Sequence, residues 1–457
     1  MTYIVHNKLL DGPAVQSGQI ITEFKKRTLH IDLHEMSLVQ NKISDNKILY
    51  RGNGYIAQTS ADVLTFRLYP NETNNTDFAS SFNHLNATKA GELYSNESYY
   101  TLSGIAADGA VWKCDQVLPA CDWSTNHSHP VVHGSLSTIV VGDLSPHPSK
   151  FVLHFFEKAD LPVPTSQATF TAAGYQFHVE KSDDSFIVGV NSETVLPDYF
   201  DVRVEEALRF LLAQPVAVRA LIHPGCVALR SKPANSSEVR LGPPISRGTA
   251  AFHEHSWDLL GAYLAFVARE AKETGWHPCT GYLHMAQQAS ASSLDVWATG
   301  LGVAVEGLAS LVDVERADGR DTERQQLEQL QKFIVGQIAG HSQFDVFVDR
   351  IRGLVRGLTS VRAIDRMKWL ADNGGANPAL IDAWRSLRNR SVHPIGRDFD
   401  IASLDFQKVV DELHSVTTLL YQIVFHLIGY RGPHTDYASH GFPETVYPPL
   451  SRTAEAG

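Results

Sequence analysis

Over the first 195 residues, apolar and β-branched positions come in short, often alternating runs, each closed by turn-forming residues. Residues 28–33, 63–70, 99–105, 137–141, 151–156, 175–179 and 186–190 read as strands on this pattern. Asp108-Gly109 between two such runs predicts a hairpin turn, and Ser182-Asp183-Asp184 separates the last pair. Many short strands with regular turn signals predict a sandwich or a partly closed barrel. The spacing then changes. Phe200, Val204, Ala207-Leu208 and Leu211, with acidic Glu205-Glu206 between them, suit one amphipathic helix over 196–215. Residues 226–230 read as a last strand, and the polar, proline-rich stretches 231–237 and 242–244 mark a boundary.

Beyond residue 250 the period is helical. Helices are expected at 253–274, 288–313, 320–339, 344–373, 378–393 and 401–430. Asp372-Asn373-Gly374-Gly375 should stop one helix, and Asn377-Pro378 should cap the next. The last helix carries a wide apolar stripe through Leu404, Val409, Leu413, Val416, Leu420 and Ile423. The expected fold class is α+β: a β-rich N-terminal domain over 1–240, an all-α bundle over 250–430, and a loose polar tail over 431–457.

Composition narrows the chemistry. The chain has 457 residues and a net charge of −11, so a general nucleic-acid coat is excluded and any such contact must be a local basic patch. Arg350, Arg352, Arg356, Arg362, Arg366 and Lys368 on the expected helix 344–373 would be one, although a solvated or salt-bridged face is the commoner outcome for such a run. Four cysteines without CxxC spacing suggest a reduced, cytoplasmic protein. No apolar run reaches membrane-spanning length, so neither secretion nor a membrane span is expected. Phosphate-cradling glycine loops and Gly-x-Ser-x-Gly are absent. His127, His129 and His133 have a spacing that fits a metal, with Cys121 or Asp122 to complete it, although a polar loop explains them more simply. Trp112, Trp123, Tyr99 and Tyr100 would offer a glycan platform if exposed, or core packing if not.

The densest polar chemistry lies in the stretch from Trp384 to Pro394. Pro394 should end the helix near His393. Asn389 and His393, four apart, share a face, while Arg388 lies about 140° from His393 and reaches it only by curling around the helix end. Arg388, Asn389 and His393 thus bring together a guanidinium, an amide to orient the ring and an imidazole.

This Arg-x4-His spacing, at the end of a helix in an all-helical C-terminal unit, resembles the motif of HEPN (higher eukaryotes and prokaryotes nucleotide-binding) domains. The β-rich front half resembles the ApeA-like branch by architecture. The resemblance implies a metal-independent endoribonuclease with no cofactor, working as a homodimer in antiphage, abortive-infection defence. It also implies RNA, plausibly tRNA, as substrate, and a trigger derived from the phage. The β domain would be sensor or regulator. In this setting His393 would act as acid and base and Arg388 would hold the phosphate. Arg385, Arg390 and Ser391 would contact the flanking RNA backbone. The family's acidic residue on an earlier helix would be Glu306, the single carboxylate in an apolar run. Two rivals stand beside this reading. One is a catalytically inactive HEPN module for dimerisation or nucleotide binding. In the other, the β domain is the binding part and the bundle its dimerising tail.

Overall fold

The computed structural model describes residues 15–449 apart from 44–46, 76–94, 124–128, 143–149, 156–158, 164–165, 198, 224, 233–238, 270–274, 315–317, 339–340, 342–346, 348–349, 351–352, 354–360 and 393–403. The protein is a mixed α+β chain, β-rich first and helical afterwards. In order it contains α1 (Val15–Lys25), β1 (His30–Gln40), β2 (Leu49–Gln58), β3 (Leu64–Thr73), β4 (Tyr100–Ala106), β5 (Val111–Val117), β6 (Ala120–Asp122), β7 (Val131–Leu136), β8 (Thr138–Gly142), β9 (Lys150–Phe155), β10 (Gln167–Ala172), β11 (Tyr175–Lys181) and β12 (Phe186–Asn191). Then follow α2 (Phe200–Leu212), β13 (Ala220–His223), β14 (Cys226–Arg230), α3 (Ala250–Arg269), α4 (Pro278–Ser290), α5 (Leu294–Ser310), α6 (Asp318–Ile338), α7 (Ala363–Asp372), α8 (Pro378–Val392), α9 (Leu404–Ile428), β15 (Gly432–Thr435) and β16 (Glu444–Tyr447). Contacts divide the chain into one compact unit of residues 1–201 and 216–236, and a second of 202–215 and 237–457.

The first unit is built on a 14-stranded antiparallel sheet in the order β10-β11-β12-β9-β13-β14-β8-β5-β4-β1-β2-β3-β7-β6. Its two end strands are not paired with each other, so the ladder is open. It nevertheless curls: a Cβ on Gly134 of β7 would come within 3.0 Å of the Leu118 carbonyl just past β5, although the four strands β4, β1, β2 and β3 lie between them in the ladder. Alternation explains the inward face. Leu33, Met36 and Leu38 of β1, Leu64, Phe66 and Leu68 of β3, and Leu102 of β4 bury one side against Ile20, Ile21 and Phe24 of α1. Trp112 and Tyr100 are buried here too, as core residues and not as an exposed platform. The Asp108-Gly109 turn forms as expected, with Gly109 at φ +84° and the Asp108 carboxylate accepting from the Ala110 amide at 2.9 Å. Helix α1 has no counterpart in the sequence reading, because its short, weakly periodic segment precedes the first strong strand.

The second unit begins with residues 202–215, which the sequence placed with the β domain. The reason is burial on a different partner: Phe210 stacks on Tyr263 of α3, with ring centroids 4.3 Å apart. Two expected helices differ from those observed. The 288–313 segment is interrupted after α4, where Ser293 caps α5 by accepting from the Val296 amide. The 344–373 segment is not continuous either. Arg362 is extended, with φ −77° and ψ 159°, and Asp365 caps α7 by accepting from its amide. Helix α7 ends at Asp372 and the chain turns through Gly374 (φ +75°), and the Asn377 side chain accepts from the Ala379 amide at the start of α8, both where the sequence put them. The expected loose tail is ordered through Pro449. Residues 432–447 form a hairpin whose His434 and Tyr447 are buried, with Phe425 of α9 5.3 and 5.4 Å from their rings. Aromatic residues, spaced too widely to read as a strand, hold that hairpin down.

Candidate functional site

Helix α8 buries Leu380, Ile381, Trp384 and Leu387, a spacing of one, three and three that makes a single face. That face lies between two neighbours. Trp384 donates its indole N–H to the Gly302 carbonyl of α5 at 3.1 Å, and Arg388, one turn on, reaches Glu306, one turn on from Gly302. Both contacts step forward together, so α8 and α5 run the same way where they meet. On the other side, Asn377 meets Gln422 while Ser386 meets Glu412, so α8 and α9 are antiparallel.

The Arg388 guanidinium donates from Nε to Glu306 Oε2 at 2.9 Å and from Nη2 to Oε1 at 3.5 Å. The second distance is long, so the pair is a strong single bond with a weak second arm. Trp384 lies beneath, its ring centroid 5.9 Å from the guanidinium carbon. The side chains of Arg388 and Glu306 are 41 % and 43 % exposed. Two of the residues singled out in the sequence, separated by more than 80 positions, are therefore brought together at an accessible surface.

The remaining candidates are distributed as follows. Asn389 is exposed on α8. Arg385 is exposed and pairs with Asp382 at 3.7 Å. The Nη2 of Arg390 lies 3.5 Å from Glu412 Oε2. Ser391 lies in the last turn of α8, and His393 lies outside the described residues. The sequence reading missed Glu412. It is buried, accepts from Ser386 Oγ at 2.7 Å, and sits beneath the basic end of α8. Its signal was present: a carboxylate between Val409 and Val416, three and four residues from each, on the apolar stripe of α9.

The other candidate features resolve differently. The basic residues of 350–368 do not form one stripe: Arg362 pairs with Asp365 at 3.1 Å, Arg366 donates to the Val312 carbonyl past α5, and Arg352 and Arg356 lie outside the described residues. His133 pairs with Asp122 at 3.2 Å, and His127 lies outside the described residues. Among the described residues no group of three or more His, Cys, Asp or Glu is arranged to hold a metal. No described helix is long and apolar enough to cross a membrane. Comparison with protein-family models, with curated proteins and with solved structures found no match.

Proposed function

We propose that the helical unit is a metal-independent endoribonuclease of the HEPN type, with Arg388 on the scissile phosphate and His393 as acid and base. The mounting of Arg388 carries this reading. A half-exposed guanidinium is oriented by Glu306 and backed by Trp384, on the last turns of the helix that leads directly to His393. A planar fork held this way matches two phosphate oxygens, and it is already ordered before RNA arrives. Glu306 is then a positioning residue, setting the angle of the fork.

The reaction is a transesterification. The RNA 2′-oxygen bonds to the adjacent phosphorus, and the bond from phosphorus to the 5′-oxygen breaks. A base takes the hydroxyl proton, an acid returns one to the leaving oxygen, and a 2′,3′-cyclic phosphate remains. An imidazole titrating near pH 6.5 serves either transfer. Arg388 stabilises charge on the phosphorane. Two copies of the motif, facing each other in a homodimer, would supply one imidazole for each transfer. The biological role in this reading is antiphage defence by cleavage of RNA such as tRNA.

A second reading is favoured by the same ion pair. With its Nε bonded to Glu306, Arg388 also suits a structural tie between α8 and α5 in a catalytically inactive bundle. The experiment that separates them compares strains producing the wild type and His393→Ala after phage challenge, with RNA resolved on denaturing gels. Purified protein is assayed on tRNA with and without EDTA. Fragments ending in cyclic phosphate, insensitive to EDTA and lost in His393→Ala, support the nuclease. Cleavage persisting in His393→Ala removes His393 from the mechanism, and no cleavage by either protein leaves the structural reading.

A further inference from the structure

A cavity of about 620 Å³ lies between the first turns of α9 and the loop joining β15 to β16. Gln407, Asp411 and His414 form one wall, at the i, i+4, i+7 spacing of a single helix face. Tyr437, His440 and Phe442 of the loop form the other. Glu412, which faces α8, is one residue from Asp411 and so about 100° around the helix. The cavity is therefore separate from the Arg388 cluster.

The loop wall is fixed in place. The Asp436 carboxylate accepts from Ser439 Oγ at 2.6 Å, the Ala438 amide at 3.0 Å and Thr418 Oγ1 at 3.3 Å. The Tyr437 hydroxyl donates to the Pro243 carbonyl at 2.6 Å. Phe442 holds a left-handed backbone, φ +51°, which an aromatic residue adopts only at a cost, and its side chain is left 43 % exposed. Its ring meets His414 at 82° with centroids 5.0 Å apart, and Tyr437 at 55° and 5.3 Å. The Phe442 ring is therefore inclined steeply to both neighbours, and neither contact is a parallel stack.

Charge decides what enters. Among the described residues Asp411 is the carboxylate lining the cavity, and no described Lys or Arg lines it. Its Oδ1 accepts from Gln407 Nε2 at 2.8 Å, leaving acceptor capacity on a group with about four lone-pair sites. Burial lowers the His414 pKa, so its imidazole is neutral near pH 7 and adds no positive charge. Electron-rich ring faces beside a carboxylate attract cations and repel phosphates. We propose that this cavity is a binding site for a small organic cation, an alkylated ammonium or guanidinium head group.

Isothermal titration of the full chain with tetramethylammonium and methylguanidinium chlorides, at constant ionic strength, tests this. At least one cation should bind saturably, and Asp411→Asn and Phe442→Gly should each weaken it by about tenfold. Glycine at 442 tolerates the left-handed backbone, so that variant removes the ring without unfolding the loop; unchanged melting temperatures verify it. Preference for tetramethylammonium identifies the ligand class as methylated ammonium, and the opposite preference identifies guanidinium. No saturable binding of either cation, affinity unchanged in both folded variants, or preferential binding of inorganic phosphate would overturn the proposal.

Discussion

Two arginine–carboxylate pairs of the helical unit use the same chemistry in opposite settings. In Arg203–Glu206, on α2, the side chains are 2 % and 0 % exposed; in Arg388–Glu306 they are 41 % and 43 % exposed. The buried pair is turned wholly inward. Arg203 Nη1 donates to Glu206 Oε2 at 2.6 Å, Arg203 Nη2 to the Gly275 carbonyl at 2.7 Å, and Glu206 Oε1 accepts from the His277 amide at 2.6 Å. It therefore clamps the approach to α4 onto α2. The half-exposed pair ties α8 to α5 but leaves a guanidinium that a ligand in solution can reach. Burial separates a fastener from a candidate site where residue type does not.

The sharpest way to break this comparison is to remove one member of each pair. Glu206→Ala removes the carboxylate that the buried Arg203 guanidinium and the His277 amide both use, and should cost about 3–5 kcal/mol. In a unit of this size that is a fall in melting temperature on the order of 10 °C, read by calorimetry. Replacing both charges with well-packed apolar residues should cost much less than the single change, because nothing charged is left buried. If Glu206→Ala melts like the wild type, the clamp is not one.

Arg388→Ala comes next, with the two effects reversed. Its stability cost should stay within about 1 kcal/mol, since a half-exposed pair is screened by water. On the nuclease reading, cleavage should fall by about 10²–10³, the usual consequence of losing one donor to a developing oxyanion. Equal losses of stability in Arg388→Ala and Glu206→Ala would erase the distinction between the pairs.

The two pairs were not equally legible in the sequence. Arg388 and Glu306 drew attention because each interrupts a local pattern: an arginine before a helix-ending proline, and a lone carboxylate in an apolar run. Arg203 and Glu206 looked like the polar face of an amphipathic helix, and only the three-dimensional fold shows that this face is covered by residues 275–277. The same limit explains α2, whose partner Tyr263 lies more than 50 positions on. The α+β order was readable because period two and period 3.6 are local properties. The strand order was not, since neighbours such as β9–β13 and β14–β8 are set by long-range pairing. The hairpin after α9 was missed for a related reason: its stability comes from aromatic contacts to α9, and its own strands are four residues each.

Glu306→Gln sharpens the exposed side of the comparison. Glutamine keeps an acceptor for Arg388 but not the charge, so the fork stays near its position with a weaker hold. Stability should change by less than about 1 kcal/mol. Cleavage should slow on the order of tenfold, less than in Arg388→Ala, the difference between a charge-assisted and a neutral hydrogen bond. A positioning role requires the loss to appear in kcat while KM is nearly unchanged. A loss confined to KM would make Glu306 part of RNA binding instead.

The smallest effect concerns the rim of the buried pair. Arg209 lies over the Trp276 ring, 4.6 Å from its centroid, and Trp276 meets His284 edge-on at 4.8 Å. Burial, and then the charge of Arg209, lower the His284 pKa below its ordinary value near 6.5. As pH falls, the unfolded chain therefore takes up this proton before the folded one does. The stability contributed is complete above about pH 6.5 and is lost as pH drops from there toward the depressed folded pKa. His284→Gln removes that proton uptake, so its melting temperature should decline less steeply than the wild type's between pH 7 and 5. The slope should be reduced without vanishing, because burial also lowers the pKa of His414, His426 and His434. Arg388→Ala touches none of these groups and should track the wild-type slope. If His284→Gln instead steepens the decline, the imidazole is protonated in the folded state, and the buried side of the comparison carries a positive charge at its rim that the geometry around Arg209 argues against.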